Sequence, residues 1–345
     1  MTWGRLGKHL SGSNLFFFFV VAVLLWLILI PIGQMVVSSF RSGHPIAPGP
    51  FTLENYRVAY TNPLTYRMIL NTLVFAGAGT AITVAIAVVF AWLLERTNLP
   101  FRNLCWSLLL IPMAMPGLLF SIAYVFLLTP QSGIINVFIR GALAQFGVEL
   151  FQGPINIYSL GGMIFLDGIR GVTTVFLMIV GAFRMMDPAL EEASWAAGAR
   201  NMTTLRKVTF PVLKPALLAA VIYEFTSSME SFEAPLVVGL PGRVYVYSTM
   251  IYMSTREPIP NFGLGASFAG SYFIIAIFFS YLYQRAVLMQ SERFSTVTGK
   301  GYRPRVIDLG PWRYPALALF FVYFFFTVLL PLAVLIWTSL LPSYR

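Results

Sequence analysis

The sequence predicts an all-α polytopic membrane protein, a six-span bundle with one extra C-terminal span. Composition is the first reason: 58% of the 345 residues are hydrophobic and only 10% are charged, with a mean hydropathy of +0.77. A soluble domain carries about a quarter charged residues. The second reason is length, since seven apolar runs reach the roughly 20 residues that cross the hydrocarbon core as a helix. The third is an uneven distribution of Lys and Arg between alternate loops.

In order, the spans read as 15–37, 71–94, 104–128, 161–183, 215–238, 263–283 and 315–337. The first run does not read as a cleavable leader: it is long, carries Pro31 and Gln34 near its end, and lacks a small-x-small cleavage pattern. With the N-terminus inside, fifteen of the 23 Lys and Arg residues fall in inside loops, seven fall outside, and Arg170 lies within a span. That imbalance predicts a cytoplasmic N-terminus. The outside segments 38–70, 129–160 and 239–262 are long and hold Pro, Gly and aromatic residues, as in Pro48-Gly49-Pro50-Phe51. Within them 53–60 and 134–146 read as interfacial helices.

Several function classes drop out. The formal charge of +10 is spread over the loops between spans, so nucleic acid is not a partner. One cysteine, Cys105, excludes an internal disulfide and a C-x-x-C site. His9 and His44 stand far apart, so no metal site is expected. No G-x-x-x-x-G-K-[ST] is present; Gly299-Lys300 lacks both its upstream Gly and its following Ser or Thr. Without a catalytic motif the chain reads as a non-enzyme that binds no cofactor.

Ionisable groups at membrane depth are rare and face protein or water. Asp167 and Arg170, at i and i+3, share a helix face and are expected to pair within the membrane; a structural pair and a transport role both stay open. Glu224, Glu230 and Glu233 fall in the fifth run, the last two on one face. They are candidates to line a translocation path and offer hard oxygen ligands to a passing cation, or else to bond across the bundle. In the sixth run Gly263, Ser267 and Ser271 recur every four residues, a spacing for close helix packing.

The loop between the fourth and fifth runs is patterned. Asp187 is a good N-cap and Pro188 suits the first helical position. Glu191 and Glu192 complement the helix dipole. Ala189, Ala193, Ala196 and Ala197 favour helix and leave a narrow surface. Gly198 ends the helix or turns the chain, and a second short helix should stop at Pro211. The stretch Glu191-Glu192-Ala193-Ser194-Trp195-Ala196-Ala197-Gly198 followed by Val208-Thr209-Phe210-Pro211 resembles the EAA loop of binding-protein-dependent ABC transporter permeases. Their pattern is E-A-A-x-x-x-G, nine residues, a hydrophobic residue, two more and Pro. Glu192, Ala193, Gly198 and Pro211 fall in register; Ser194 replaces the second Ala and Val208 the usual Ile.

The ends of the chain echo each other. Ile30-Pro31-Ile32 and Ser38-Ser39-Phe40 correspond to Leu330-Pro331-Leu332 and Thr338-Ser339-Leu340. Gly299-Lys300-Gly301-Tyr302-Arg303-Pro304-Arg305 and the following Asp308-Leu309-Gly310-Pro311-Trp312 are similar to the join between halves in fused ferric-iron-type permeases. The resemblance implies a type I ABC importer transmembrane domain over 1–290, with its EAA-like loop at about 184–216. A cytoplasmic linker at 291–314 and the first span of an incomplete second permease half at 315–345 would follow. It also implies an ATPase-coupling loop carried by Glu191, Glu192, Ala193, Gly198 and Pro211, in a bacterial cytoplasmic (inner) membrane protein. The implied partners are ABC ATPase subunits that hold ATP-Mg, a periplasmic or lipid-anchored substrate-binding protein, membrane lipid and a second permease half. Ferric iron is the first substrate expected, with thiamine, a polyamine or a phosphonate-type solute as alternatives. An ion-coupled secondary transporter or channel, and an inactive truncated fragment, are the rival readings.

Overall fold

A computed structural model describes residues 12–256, 258, 260–294 and 306–341. Arg5, Lys8 and His9, the join at 299–305 and the terminal Tyr344-Arg345 lie outside the described residues, as does the side chain of Arg293. The described residues are mostly helical: α1 Gly12–Ser39, α2 Glu54–Thr61, α3 Pro63–Arg96, α4 Arg102–Leu110, α5 Gly117–Leu128 and α6 Ile134–Ala144. There follow α7 Leu160–Arg170, α8 Val172–Met185, α9 Pro188–Ala196, α10 Asn201–Thr204, α11 Phe210–Glu230 and α12 Tyr247–Arg256. The last are α13 Phe262–Phe294, α14 Arg313–Phe324 and α15 Leu330–Ser339. A small antiparallel hairpin, β1 Arg41–His44 and β2 Ala47–Phe51, follows α1.

Among the described residues five helices are long and apolar enough to cross a membrane: Leu15–Ser39, Pro63–Arg96, Asn201–Glu230, Phe262–Leu288 and Gly310–Ser339. Counting each of two bent pairs as one span makes seven. The expected run 104–128 is one of these pairs. It breaks at Met115-Pro116 and turns by 93°, because a proline removes a ladder donor and drives the residue before it out of the helical region. The run 161–183 bends by 42° at Gly171. The expected fifth span, 215–238, is displaced towards the N-terminus. Its helix begins at Asn201, and Ser231 with ψ 131° ends it after Glu230, leaving Val238 in a separate π-helical turn, Pro235–Gly239. The hairpin and α12 were not visible as periodic apolar runs. The two expected interfacial helices correspond to α2 and α6.

The chain divides into two compact units. One comprises residues 1–66 and 250–274. In it Asn55 Nδ2 donates to the carbonyls of Ser39 (3.0 Å) and Arg41 (2.9 Å), and the Tyr56 hydroxyl bonds Ser39 Oγ at 3.0 Å. These bonds pin α2 to the end of α1. A Cβ at Gly263 would sit 2.5 Å from Asn55 Nδ2, so the small-residue stripe of α13 permits this close approach. From Leu15 to Phe19 every side chain of α1 is more than half exposed.

The other unit comprises 67–249 and 275–345. It holds two apolar cores, one around Phe90, Phe176, Phe183 and Phe320, the other around Phe120, Tyr124, Met163 and Val238. The C-terminal span contributes to both. Phe320 lies 4.5 Å from the Phe90 ring, and the Tyr124 hydroxyl donates to the Phe326 carbonyl at 2.7 Å. The span is fastened at its start as well. The Asn98 N–H donates to the Ile307 carbonyl (3.1 Å) and the Ile307 N–H to the Arg96 carbonyl (2.9 Å), while the Leu309 N–H reaches Asn98 Oδ1 (2.9 Å). The Gly310 N–H and the Asn98 amide also hold the Asp308 carboxyl below the usual carboxylate range.

Candidate functional site

The patterned loop is built as a capped helix. Asp187 Oδ1 accepts from the Ala189 N–H at 2.9 Å, satisfying one orphan donor of α9. The C-terminal end closes at Gly198, whose φ of +84° lies in the left-handed region. That turn lets the Gly198 and Ala199 N–H groups bond back to the Trp195 and Ser194 carbonyls at 2.9 and 3.1 Å. The chain then runs without interruption from Asn201 to Glu230. Pro211 therefore does not stop a second short helix, as its residue type suggested. It falls in the first turn after the π-helical turn Leu205–Thr209, where the hydrogen-bond ladder is already offset.

One face of α9 is turned outward: Ala189, Leu190, Ala193, Ala196, Ala197 and Gly198 are exposed, with Glu192 half-buried. The opposite face is tied down. Glu191, 4% exposed, meets the 2%-exposed Arg96 at the end of α3, Nε to Oε2 at 3.0 Å. That N–H is not aimed along the line to the oxygen, so the contact is coulombic in character. Arg96 also donates to the Phe183 carbonyl at 2.8 Å, and Glu191 Oε1 accepts from Thr209 Oγ1 at 2.7 Å. Ser194 Oγ and Thr204 Oγ1 lie 2.9 Å apart. Beside this pair Glu95 receives Arg102 at 2.7 Å and Arg184 at 3.0 Å. Glu191, grouped with Glu192 by sequence, thus faces the bundle and not the outward surface. Nothing in the sequence paired it with Arg96.

The intramembrane charges converge elsewhere. Asp167, Arg170, Glu224, Glu230 and Glu233 all line one cavity of about 490 Å³. The break between α4 and α5 supplies Met113 and Met115 to the same cavity. Arg170 Nη1 reaches Glu233 Oε2 at 3.3 Å, across two elements. Asp167 instead accepts from Ser228 Oγ at 2.5 Å. The pair expected within α7 is therefore replaced: the chain turn after Glu230 swings Glu233 back towards Arg170. Glu224, 4% exposed, approaches so close to Gly171 that a Cβ there would overlap its carboxylate.

Sequence reasoning missed the hydroxyl lining, Thr173, Thr174, Ser227, Ser228 and Ser231. The run Thr226-Ser227-Ser228 inside an apolar span was the signal that could have found it. Among the described residues no three His, Cys, Asp or Glu side chains gather as a metal-ligand set. The carboxylates give the cavity its charge without forming a metal cage.

No protein-family model matches the chain. It is 26% identical over 300 residues to a putative ferric transport system permease protein, FbpB 1, of Haemophilus influenzae, covering 84% of this chain and 45% of that protein. It is 26% identical over 306 residues to the ferric transport system permease protein FbpB of Actinobacillus pleuropneumoniae, covering 88% of this chain and 41% of that one. In fold it matches a bacterial alginate ABC transporter solved with a pentasaccharide-bound periplasmic protein, with a TM-score of 0.63 at 16% identity, over 85% of this chain and all of the other. In sequence the chain is similar to ABC transporter permeases, and in fold to that alginate transporter. The chain spans less than half the length of the two ferric relatives. It is also 27% identical over 199 residues to the sulfate transport system permease protein CysT of Salmonella typhimurium, covering 57% of this chain and 68% of that protein.

Proposed function

We propose that this chain is a permease subunit of an ATP-driven ABC importer, with a cytoplasmic N-terminus in a bacterial inner membrane. The observation that carries this is α9, a capped helix with a small-residue outward face ended by a left-handed glycine. Ala193, Ala196 and Ala197 leave a slim ridge that fits a groove, and Glu192 at its margin supplies a charge. In this reading an ABC ATPase subunit holds α9 in such a groove and supplies the ATP-Mg chemistry. A substrate-binding protein docks on the opposite side of the membrane, and a second permease half completes the passage. ATP binding closes the ATPases and moves the α9 helices, and rigid-body switching exposes the cavity to one side and then the other.

The cavity is the translocation path, and its charge favours a cation. Four carboxylates against one guanidinium attract a cation and repel sulfate. Ferric iron, a hard ion suited to oxygen ligands, is the substrate we place first, in keeping with the names of two relatives. The test is co-elution in detergent of this chain with an ABC ATPase subunit, comparing wild type with Gly198→Asp and Glu192→Lys. Association lost in both variants supports α9 as the dock. Association retained in both refutes it and favours an ion-coupled carrier using the same carboxylates.

A further inference from the structure

We propose that Glu191 is a positioning residue that yokes α9 to two long helices, and that through Arg96 and Thr209 it carries movement of α9 to the cavity. This rests on the reading of α9 as the ATPase dock. Glu191 holds both helices with one carboxylate: Oε2 takes Arg96, the last residue of α3, and Oε1 takes Thr209, immediately before α11. From there α11 lines the cavity itself, and α3 packs against α7, which supplies Asp167 and Arg170 to it. On α3, thirteen residues before Arg96 and therefore about 20 Å along the axis, Thr83 Oγ1 donates to the Gly168 carbonyl at 2.8 Å. One turn earlier, a Cβ at Gly79 would lie 3.1 Å from Asp167 Oδ2. On α11, Glu224 stands fifteen residues beyond Thr209, about 22 Å along the axis, and itself lines the cavity.

The joint is stiff for physical reasons. Both ions are buried, so water does not screen their attraction. Arg96 is further fixed by the Phe183 carbonyl and lies 5.8 Å from the centre of the Phe183 ring. Packed helices move as rods with discrete arrangements, so a displacement of α9 is passed on and not absorbed. At the C-terminal end of α9 the surrounding space is open: nothing lies within 4 Å of a Cβ built at Gly198. The inward carboxylate adds to the covalent link and to the Ser194–Thr204 contact a direct tie from α9 to both long helices.

The experiment uses this chain together with its second permease half in lipid nanodiscs, with the ABC ATPase subunit that co-elutes with wild type and with a loaded binding protein. Glu191→Gln keeps the shape and an acceptor for Thr209 but removes the charge; Thr209→Val is the gentler second variant. Amide exchange over residues 188–199, measured on the permease alone, reports whether α9 is held. In Glu191→Gln we expect exchange there to rise about tenfold with ATPase co-elution intact. Stimulation of MgATP hydrolysis by the binding protein should fall about tenfold, within the range of coupling between distant sites. Thr209→Val should move both readouts less, in the same direction, and the swap Arg96→Glu with Glu191→Arg should recover part of both. Unchanged exchange and stimulation in Glu191→Gln overturn the yoke. So does lost co-elution with unchanged exchange, because Glu191 would then touch the ATPase itself. A wild-type chain that binds no ABC ATPase even with the second permease half present overturns the importer reading, and the yoke with it.

Discussion

Arg96 is among the largest fully buried side chains of the molecule, and its charge is answered by Glu191 from a different stretch of sequence. A buried ion pair adds little net stability over an apolar pair, yet removing one partner strands the other charge. Arg96→Ala should therefore cost about 3–5 kcal/mol, read as a lowered unfolding midpoint in detergent, and Arg96→Ala with Glu191→Ala should cost less than Arg96→Ala alone. Gly198 makes a different demand, for backbone conformation. Its φ of +84° strains any side chain, while the surrounding space is open. Gly198→Val should destabilise α9 by about 1–2 kcal/mol, and Gly198→Asn by less, since Asn tolerates the left-handed region. Amide exchange over 188–199 checks the order. The need for glycine at 198 was legible from its place after an alanine-rich helix. The partner of Glu191 was not, because nearly a hundred residues separate it from Arg96.

At the scale of elements, breaks in helices build the cavity. Pro116 and Ser231 end helices inside apolar runs, and each break places polar or charged groups where a continuous helix would have carried them away. Pro116 is a residue type that breaks helices, although the expected run 104–128 passed straight through it. Ser231 gives no such signal, since its sequence context resembles an ordinary helix interior, and the helical-face argument for Glu230 with Glu233 failed for that reason. Gly117, the first residue of α5, lies against the Arg170 guanidinium, so closely that a Cβ would overlap it. Gly117→Ala should push that flexible head off Glu233 at small cost to stability, within about 1 kcal/mol. If the cavity is the path, substrate uptake should change while the unfolding midpoint stays near that of wild type.

At the scale of the whole molecule, the C-terminal span is part of the core of residues 67–249. Phe320 is fully buried beside Phe90, and the Ile307 and Leu309 backbone is clasped by Asn98. Phe320→Ala should lower the unfolding midpoint, by less than the roughly 3–5 kcal/mol of a water-soluble core. Lipid tails are as apolar as the core, so only the lost packing counts. The 300-residue offset that relates this span to α1 was visible in the sequence, whereas its seat against α3 and α5 was not.

The sequence by itself determined the class of this protein. Membrane-length apolar runs leave the backbone no alternative to helix, because unpaired N–H and C=O groups are too costly in lipid. It also determined the cap at Asp187 and the turn at Gly198, which are local. Only the tertiary structure decided which charges meet. Asp167 and Arg170 share a helix face, yet Ser228 and Glu233 take them, and Glu191 turns inward to Arg96. Buried charges are satisfied by whatever partner the packing brings within 3 or 4 Å, and that proximity is set by how broken helices cross, which no local pattern encodes.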